Sequence, residues 1–186
     1  MLTGQQLSNA TPNVSVSADI GAPSGNVYRL IADYRAGHPR ILPPTFFRNL
    51  RVELGGFGAG TVITFDMLAF GRMQQLRAHI SEPEPGRVLA ERYLDNGSVT
   101  TFTVDSWGSD RSRLTIATAL RVKPGILGRL ELCLLRRFLR RVYVAELELI
   151  DQQSRSARTV ASDTVMRHGD RPPQLGSRKT ALHTPR

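Results

Sequence analysis

The residues of this chain that could do chemistry are few and scattered. There are four histidines, His38, His79, His168 and His183, and one cysteine, Cys133. A metal centre needs three or four donors converging, and neither an HExxH motif nor a paired histidine spacing occurs, so no metal site is expected. A single cysteine also excludes an intrachain disulfide framework. Cys133 sits between leucines and reads as a small inert hydrophobe rather than a nucleophile. No Ser/His/Asp or Cys/His constellation is visible, and the acids fall mainly on turns or outward positions, which argues against a carboxylate pair for general acid–base work. The run GGFGAGT at 55–61 has the glycine content of a phosphate-cradling loop. It lacks the Gly-Lys-Ser/Thr ending and precedes a strand rather than a helix, so its glycines are better explained by a hairpin that needs positive φ angles. That leaves His38, in the loop AGHPRILPP, as the best candidate for contacting a ligand or donating a proton. An exposed loop histidine is the simpler reading.

Charge divides the chain. Lys and Arg number 25 against 16 Asp and Glu, a net +9, yet Lys123 and Lys179 are the only lysines. The cationic surface is therefore almost all guanidinium, suited to carboxylate and phosphate. Residues 154–186 hold seven basic residues against Asp163 and Asp170, contain no Phe, Tyr or Trp, and include the breaker run GDRPPQLG. Such a segment cannot bury enough apolar surface to offset the entropy of ordering it, so 154–186 is expected to be a disordered basic tail and 1–11 a flexible leader. One domain is expected over 12–153. No window reaches the roughly 20 apolar residues of a membrane span, and the N-terminus lacks the basic and apolar regions of a secretory signal. A cytoplasmic location is expected.

The elements that must position His38 follow from periodicity. Residues 13–20 alternate Val14, Val16, Ala18 and Ile20 with polar neighbours, as in a strand with one buried face. Pro23 opens a short helix over 23–34 carrying Val27, Leu30, Ile31 and Tyr34, and a further turn or two of helix occupies 36–42 before Pro43 and Pro44. Strand signals then follow at 46–54, 61–70, 72–82, 87–94, 98–107 and 113–122, joined by connections too short for parallel crossovers. From Ile126 to about Gln153 no proline intervenes, which predicts one long helix. At 100° per residue, Leu127, Leu134, Phe138, Val142, Ala145 and Leu149 form its apolar stripe, flanked by Ile126, Leu135 and Leu139, with Arg129, Arg136, Arg137, Arg140 and Arg141 on the opposite arc.

Strand parity assigns faces. Ile63, Phe65 and Met67 point inward, as do Leu76, Ala78 and Ile80, Phe102 and Val104, and Leu114, Ile116, Thr118 and Leu120; His79 points to solvent. The strand 87–94 stays open: either Ala90 and Arg92 or Glu91 and Tyr93 face inward. A Tyr or Arg there would anchor a ligand, and the other parity leaves Thr118 as almost the only inward polar group on the sheet.

In IGAPSGNVYRLIADY at 20–34, PPTFFRNLRVELGGFGAGTVITFDM at 43–67, EPEPGRVLAE at 82–91 and GSVTTFTVDSWGSDRSRLTIATAL at 97–120, the chain resembles the polyketide cyclase/dehydrase branch of the SRPBCC superfamily, the START and birch-pollen-allergen-like proteins. The resemblance implies an α+β helix-grip fold, a curved seven-stranded antiparallel sheet wrapped around the C-terminal helix, with two short helices after the first strand. It also implies an apolar cavity between sheet and helix, over whose mouth the glycine loop of relatives can act as a gate. One helix cannot fill such a concavity, so the space left is apolar and open to a ligand. The residues expected to line it are Phe65, Met67, Ile80, Phe102, Ile116, Thr118, Leu134, Phe138 and Val142, with Tyr34 and His38 at the mouth. A carrier of an apolar lipid-like or polyketide-like molecule, without a cofactor, is the leading expectation. A polyketide cyclase, aromatase or dehydratase is the alternative, using an inward acid or base such as His38, Tyr34, Arg92 or Tyr93. Transient contact of the arginine face with an anionic membrane is a third possibility, and no specific nucleic-acid partner is expected.

Overall fold

The computed structural model describes residues 11–122 and 124–168. Strand β1 (Val14–Ile20) leads into helix α1 (Ser24–Ala32) and a single 3-10 turn at His38–Arg40. Six strands follow, β2 (Phe47–Leu54), β3 (Val62–Ala69), β4 (Arg72–Glu84), β5 (Val88–Tyr93), β6 (Val99–Ser106) and β7 (Ser112–Ala119), and helix α2 (Ile126–His168) closes the chain. The sheet is antiparallel throughout, in the order β1-β7-β6-β5-β4-β3-β2. Short connections make β2 to β7 a meander, and β1 returns to pair with β7, Val16 opposite Ile116. Register shifts in the β2–β3 and β4–β5 ladders bend the sheet, as bulges do. The helix-grip α+β architecture is thus present, although the second short helix expected over 36–42 shrinks to three residues of 3-10 turn.

The β3–β4 connection is a two-residue turn, Phe70 and Gly71, closed by the pair Ala69 and Arg72. Both residues have positive φ, 50° and 75°. That is the hairpin geometry matched to the strand twist, and it is costly for a bulky residue such as Phe70. Its consequence is a phenyl ring held out at the sheet's end, 59% exposed.

Helix α2 departs from the sequence reading in two ways. Its buried face is Leu139, Val142, Tyr143, Glu146, Leu147 and Ile150, displaced by about a third of a turn from the expected stripe. Leu134 and Leu127 of that stripe are exposed, and Ala145 and Leu149 are only half-buried. Leucines in the first two turns, which overhang the sheet, pulled the expected stripe toward themselves. Of the expected arginine arc, Arg137 and Arg141 oppose the buried face, whereas Arg129, Arg136 and Arg140 stand toward its flank, and Arg136 donates to the Asn13 carbonyl beside β1. Secondly, the helix does not stop near Gln153; it runs to His168, with Ser154 buried. No glycine or proline interrupts the chain until Gly169, and Arg and Ala sustain a helix already nucleated and packed. The rest of the expected tail, 169–186, and most of the expected leader, 1–10, lie outside the described residues.

The core fills the layer between sheet, α1 and the middle of α2. Ile31 and Val27 of α1, Ile63, Ile80, Leu89, Leu114 and Ile116 of the sheet, and Val142, Leu147 and Ile150 of α2 are all buried there. Asp151 fastens the far end by accepting from the Gly21 amide at 2.9 Å.

Candidate functional site

Packing ends partway along α2, and a cavity of about 580 Å³ remains between its first half and the sheet. Its walls are apolar: Phe65 and Met67 of β3, Phe102 of β6, and Leu135, Phe138 and Leu139 of α2 all line it. At its mouth stand Phe70, Arg121, Leu127, Leu130 and Leu134.

The buried end is polar. β5 settles its open parity with Leu89, Glu91 and Tyr93 inward, so Arg92 is excluded from the interior. Glu91 pairs in register with Ile80 and Thr100 and shares their buried side. Its Oε1 accepts from the Tyr34 hydroxyl at 2.6 Å and its Oε2 from the Tyr93 hydroxyl at 3.3 Å. His38 Nε2 lies 3.6 Å from the same Oε1. The other ring nitrogen, Nδ1, is 2.8 Å from the Ile31 carbonyl, which can only accept, so Nδ1 carries a proton and Nε2 is left to face Glu91 and the cavity. Tyr34 stacks on the His38 ring at 4.4 Å and Phe102 meets its edge at 5.9 Å, which fixes the imidazole plane. A hydroxyl chain continues from Tyr93 through Thr100 and Thr118, the two threonines 2.8 Å apart, to Tyr143.

Glu146 closes the ring from α2. It is 3% exposed, lines the cavity and makes no hydrogen bond among the described residues. Burial pushes its carboxyl well above the ordinary carboxylate range, and the neighbouring Glu91 adds to the rise. That rise favours the protonated form of Glu146, whose carboxyl borders the cavity. Burial and Glu91 also raise the Tyr34 and Tyr93 hydroxyls, and burial raises that of Tyr143, so all three remain donors across the physiological range. Among the described residues no group of three or more His, Cys, Asp or Glu is placed to hold a metal ion.

Seven of the expected lining residues reach the cavity: His38, Phe65, Met67, Phe102, Thr118, Leu134 and Phe138. Ile80, Ile116 and Val142 are buried behind its wall, because the layer between sheet and helix is more than one side chain deep there. Tyr34 and His38 are not at the mouth. Both are buried, His38 at 2% exposure, since the 3-10 turn folds the loop inward under Ile31. The simpler reading of His38 as a surface residue is thus overturned. The glycine loop 55–60 does not line the cavity; Gly58 donates to the Ala32 carbonyl, Tyr34 to the Gly56 carbonyl, and Ala59 to Glu82, clamping the loop onto α1. The acid pair dismissed on sequence grounds, Glu91 and Glu146, is inside. For Glu91 the signal was its parity with Leu89; for Glu146 it was its position three or four residues from Val142, Tyr143 and Ile150.

No family model and no curated protein matches the chain. Solved structures do. The KanY protein ms6282 is similar over 76% of this chain and 96% of its own, at 25% identity and a TM-score of 0.67. The chain has a helix-grip fold. The Zhui aromatase/cyclase from Streptomyces sp. R1128 shares that fold, with a TM-score of 0.64, 16% identity and coverage of 76% and 92% of the two chains. So does a START superfamily protein from Mycobacterium smegmatis, with a TM-score of 0.61, 11% identity and coverage of 77% and 97%. In this chain the grip of the sheet encloses a cavity apolar along its walls and polar at its buried end.

Proposed function

We propose that the protein binds a largely apolar small molecule in this cavity, with an uncharged oxygen function of the ligand at the buried end. One observation carries the reading: the apolar walls converge on a hydrogen-bonding cluster that has no Lys or Arg among its described residues. A ligand carboxylate would meet Glu91 and Glu146 without a compensating cation, at the cost of burying an unpaired charge. A carbonyl or hydroxyl could take the Glu146 proton or accept from Tyr143, while its hydrocarbon body contributes roughly 25 cal/mol per Å² buried. The similarity to START and aromatase/cyclase structures is consistent with such a ligand, lipid-like or polyketide-like. The same reading keeps the protein in the cytoplasm, where Cys133 is a free thiol.

The test is displacement of a neutral fluorescent hydrophobe by matched chains of equal length ending in an alcohol, a ketone or a carboxylate. The alcohol and ketone should displace it, and Met67→Trp, which narrows the cavity, should abolish uptake. Failure of every chain to bind would end the proposal; tight binding of the carboxylate would end its account of the buried end.

A second reading, turnover of the bound molecule, is favoured by Glu146 specifically, because a carboxyl that burial biases toward its protonated form, lining the same cavity as the His38 imidazole, is the kind of pairing that general acid–base catalysis needs. In dehydration of a β-hydroxy ketone, His38 Nε2 would remove the α-proton, the C–H electrons would form the C=C bond, and Glu146 would protonate the departing hydroxyl, releasing water. Conversion of a β-hydroxy ketone surrogate by the wild type, lost in Glu146→Gln with the surrogate still bound, would support it. Binding without conversion leaves a carrier.

A further inference from the structure

The cavity mouth shows a second chemistry. Ile126 and Leu127 are 85% and 83% exposed, and Leu130, Leu134 and Phe70 are each at least half exposed. Four of these five, all but Ile126, also line the cavity, so the rim of the opening is itself apolar and faces water. Arg121 lines the opening, Arg72 flanks the Phe70 turn and Arg129 precedes Leu130 in the chain, all exposed and without an ion pair among the described residues. Glu131 is the one acid on the described rim.

We propose that this rim docks on an anionic lipid bilayer, mouth down, with the first two turns of α2 and the Phe70 turn immersed at the headgroup level. A projecting helix end with aliphatic side chains on one side and guanidinium groups beside them matches an interfacial segment, in which apolar area and attraction to anionic headgroups add. The positive φ of Phe70 holds its ring outward on the same side. Large apolar side chains this exposed and grouped together mark an interaction site. Docking covers the rim and joins the cavity to the hydrocarbon, so an apolar ligand could pass without crossing water. The proposal stands whatever the cavity holds.

The test uses the full chain, labelled at Cys133, which is exposed one turn from Leu130 and is the only cysteine. An environment-sensitive label should shift to the blue on addition of phosphatidylcholine vesicles containing phosphatidylglycerol, and much less with phosphatidylcholine alone; nitroxide lipids should quench it. Leu127→Asp with Leu130→Asp should reduce flotation with the anionic vesicles by about a hundredfold, from two buried aliphatic side chains lost. Arg129→Ala should weaken it roughly fivefold, the share of one arginine near the surface. Arg111→Ala, at the opposite end of the sheet, should leave it unchanged, and melting curves of all variants should match the wild type. Flotation of the double aspartate variant at the wild-type level, or equal weakening by Arg111→Ala, would show general basic attraction and overturn the proposal. Absence of vesicle binding, or a label that shifts with an acidic protein but is not quenched by lipid, would overturn it equally.

Discussion

The two ends of one cavity are built on opposite principles. At the buried end, polar groups from five elements, the 3-10 turn, β5, β6, β7 and α2, together with Tyr34, are buried and mutually satisfied except for Glu146. At the mouth, apolar groups of α2 and of the β3–β4 turn stand half or more exposed to water, the Phe70 ring resting against Phe138 at 5.2 Å. Each end is the inverse of what folding alone selects, since burying a carboxyl and exposing an aliphatic both cost free energy. Neither contributes to stability in proportion to its size. Their joint presence on one cavity is what separates a binding site from a core.

The comparison can be broken first at packing. Phe102→Ala, at a ring buried between His38 and the sheet, should cost about 3 to 5 kcal/mol in urea denaturation, against about 0.5 kcal/mol or less for Leu127→Ala at the mouth. Similar losses at both would mean that the first turns of α2 are packed on something in solution.

Glu91→Ala strips the Tyr34 hydroxyl of its acceptor and leaves His38 facing a void, so about 2 to 4 kcal/mol should be lost. Little change would show that the cluster is water-filled rather than a closed network. Phe138→Ala should cost about 1 to 2 kcal/mol, well under Phe102, because both rings border the cavity but that of Phe138 is only half-buried and loses less packing on truncation.

The smallest effect has the opposite sign. Glu146 binds its proton more tightly in the folded state than in the unfolded chain. Below the ordinary carboxylate value of 4.5 both states hold the proton and its contribution is full. As pH rises from there toward the folded value, the unfolded chain releases a proton that the folded protein keeps, and stability falls. Glu146→Gln removes that dependence, so the variant should match the wild type at pH 4 and exceed it by about 1 kcal/mol or more at neutral pH. A variant less stable than the wild type at neutral pH would mean that the carboxylate is ionised and paired in the fold.

Much of this architecture was legible in the residues. Alternation over 13–20 and through the meander identified the strands and, apart from β2 and β5, their inward faces, because a sheet with one buried face repeats that choice every second residue. Helix α2 was legible as an element but not in its orientation. A helix can turn about its axis at no cost in backbone hydrogen bonds, and the leucines of its overhanging end carried as much apolar weight in the sequence as those that pack.

The sequence by itself determined the kind and order of the elements, the hairpin turns and the apolar inner face, all consequences of local sterics and of a period of two or 3.6. Only the tertiary structure decided that His38 turns inward beneath Ile31, that Glu91 rather than Arg92 faces the cavity, and that Glu146 lies across from it. Those positions depend on how the curved sheet meets the helix. A buried carboxyl looks like any surface acid until the surfaces that enclose it have been brought together.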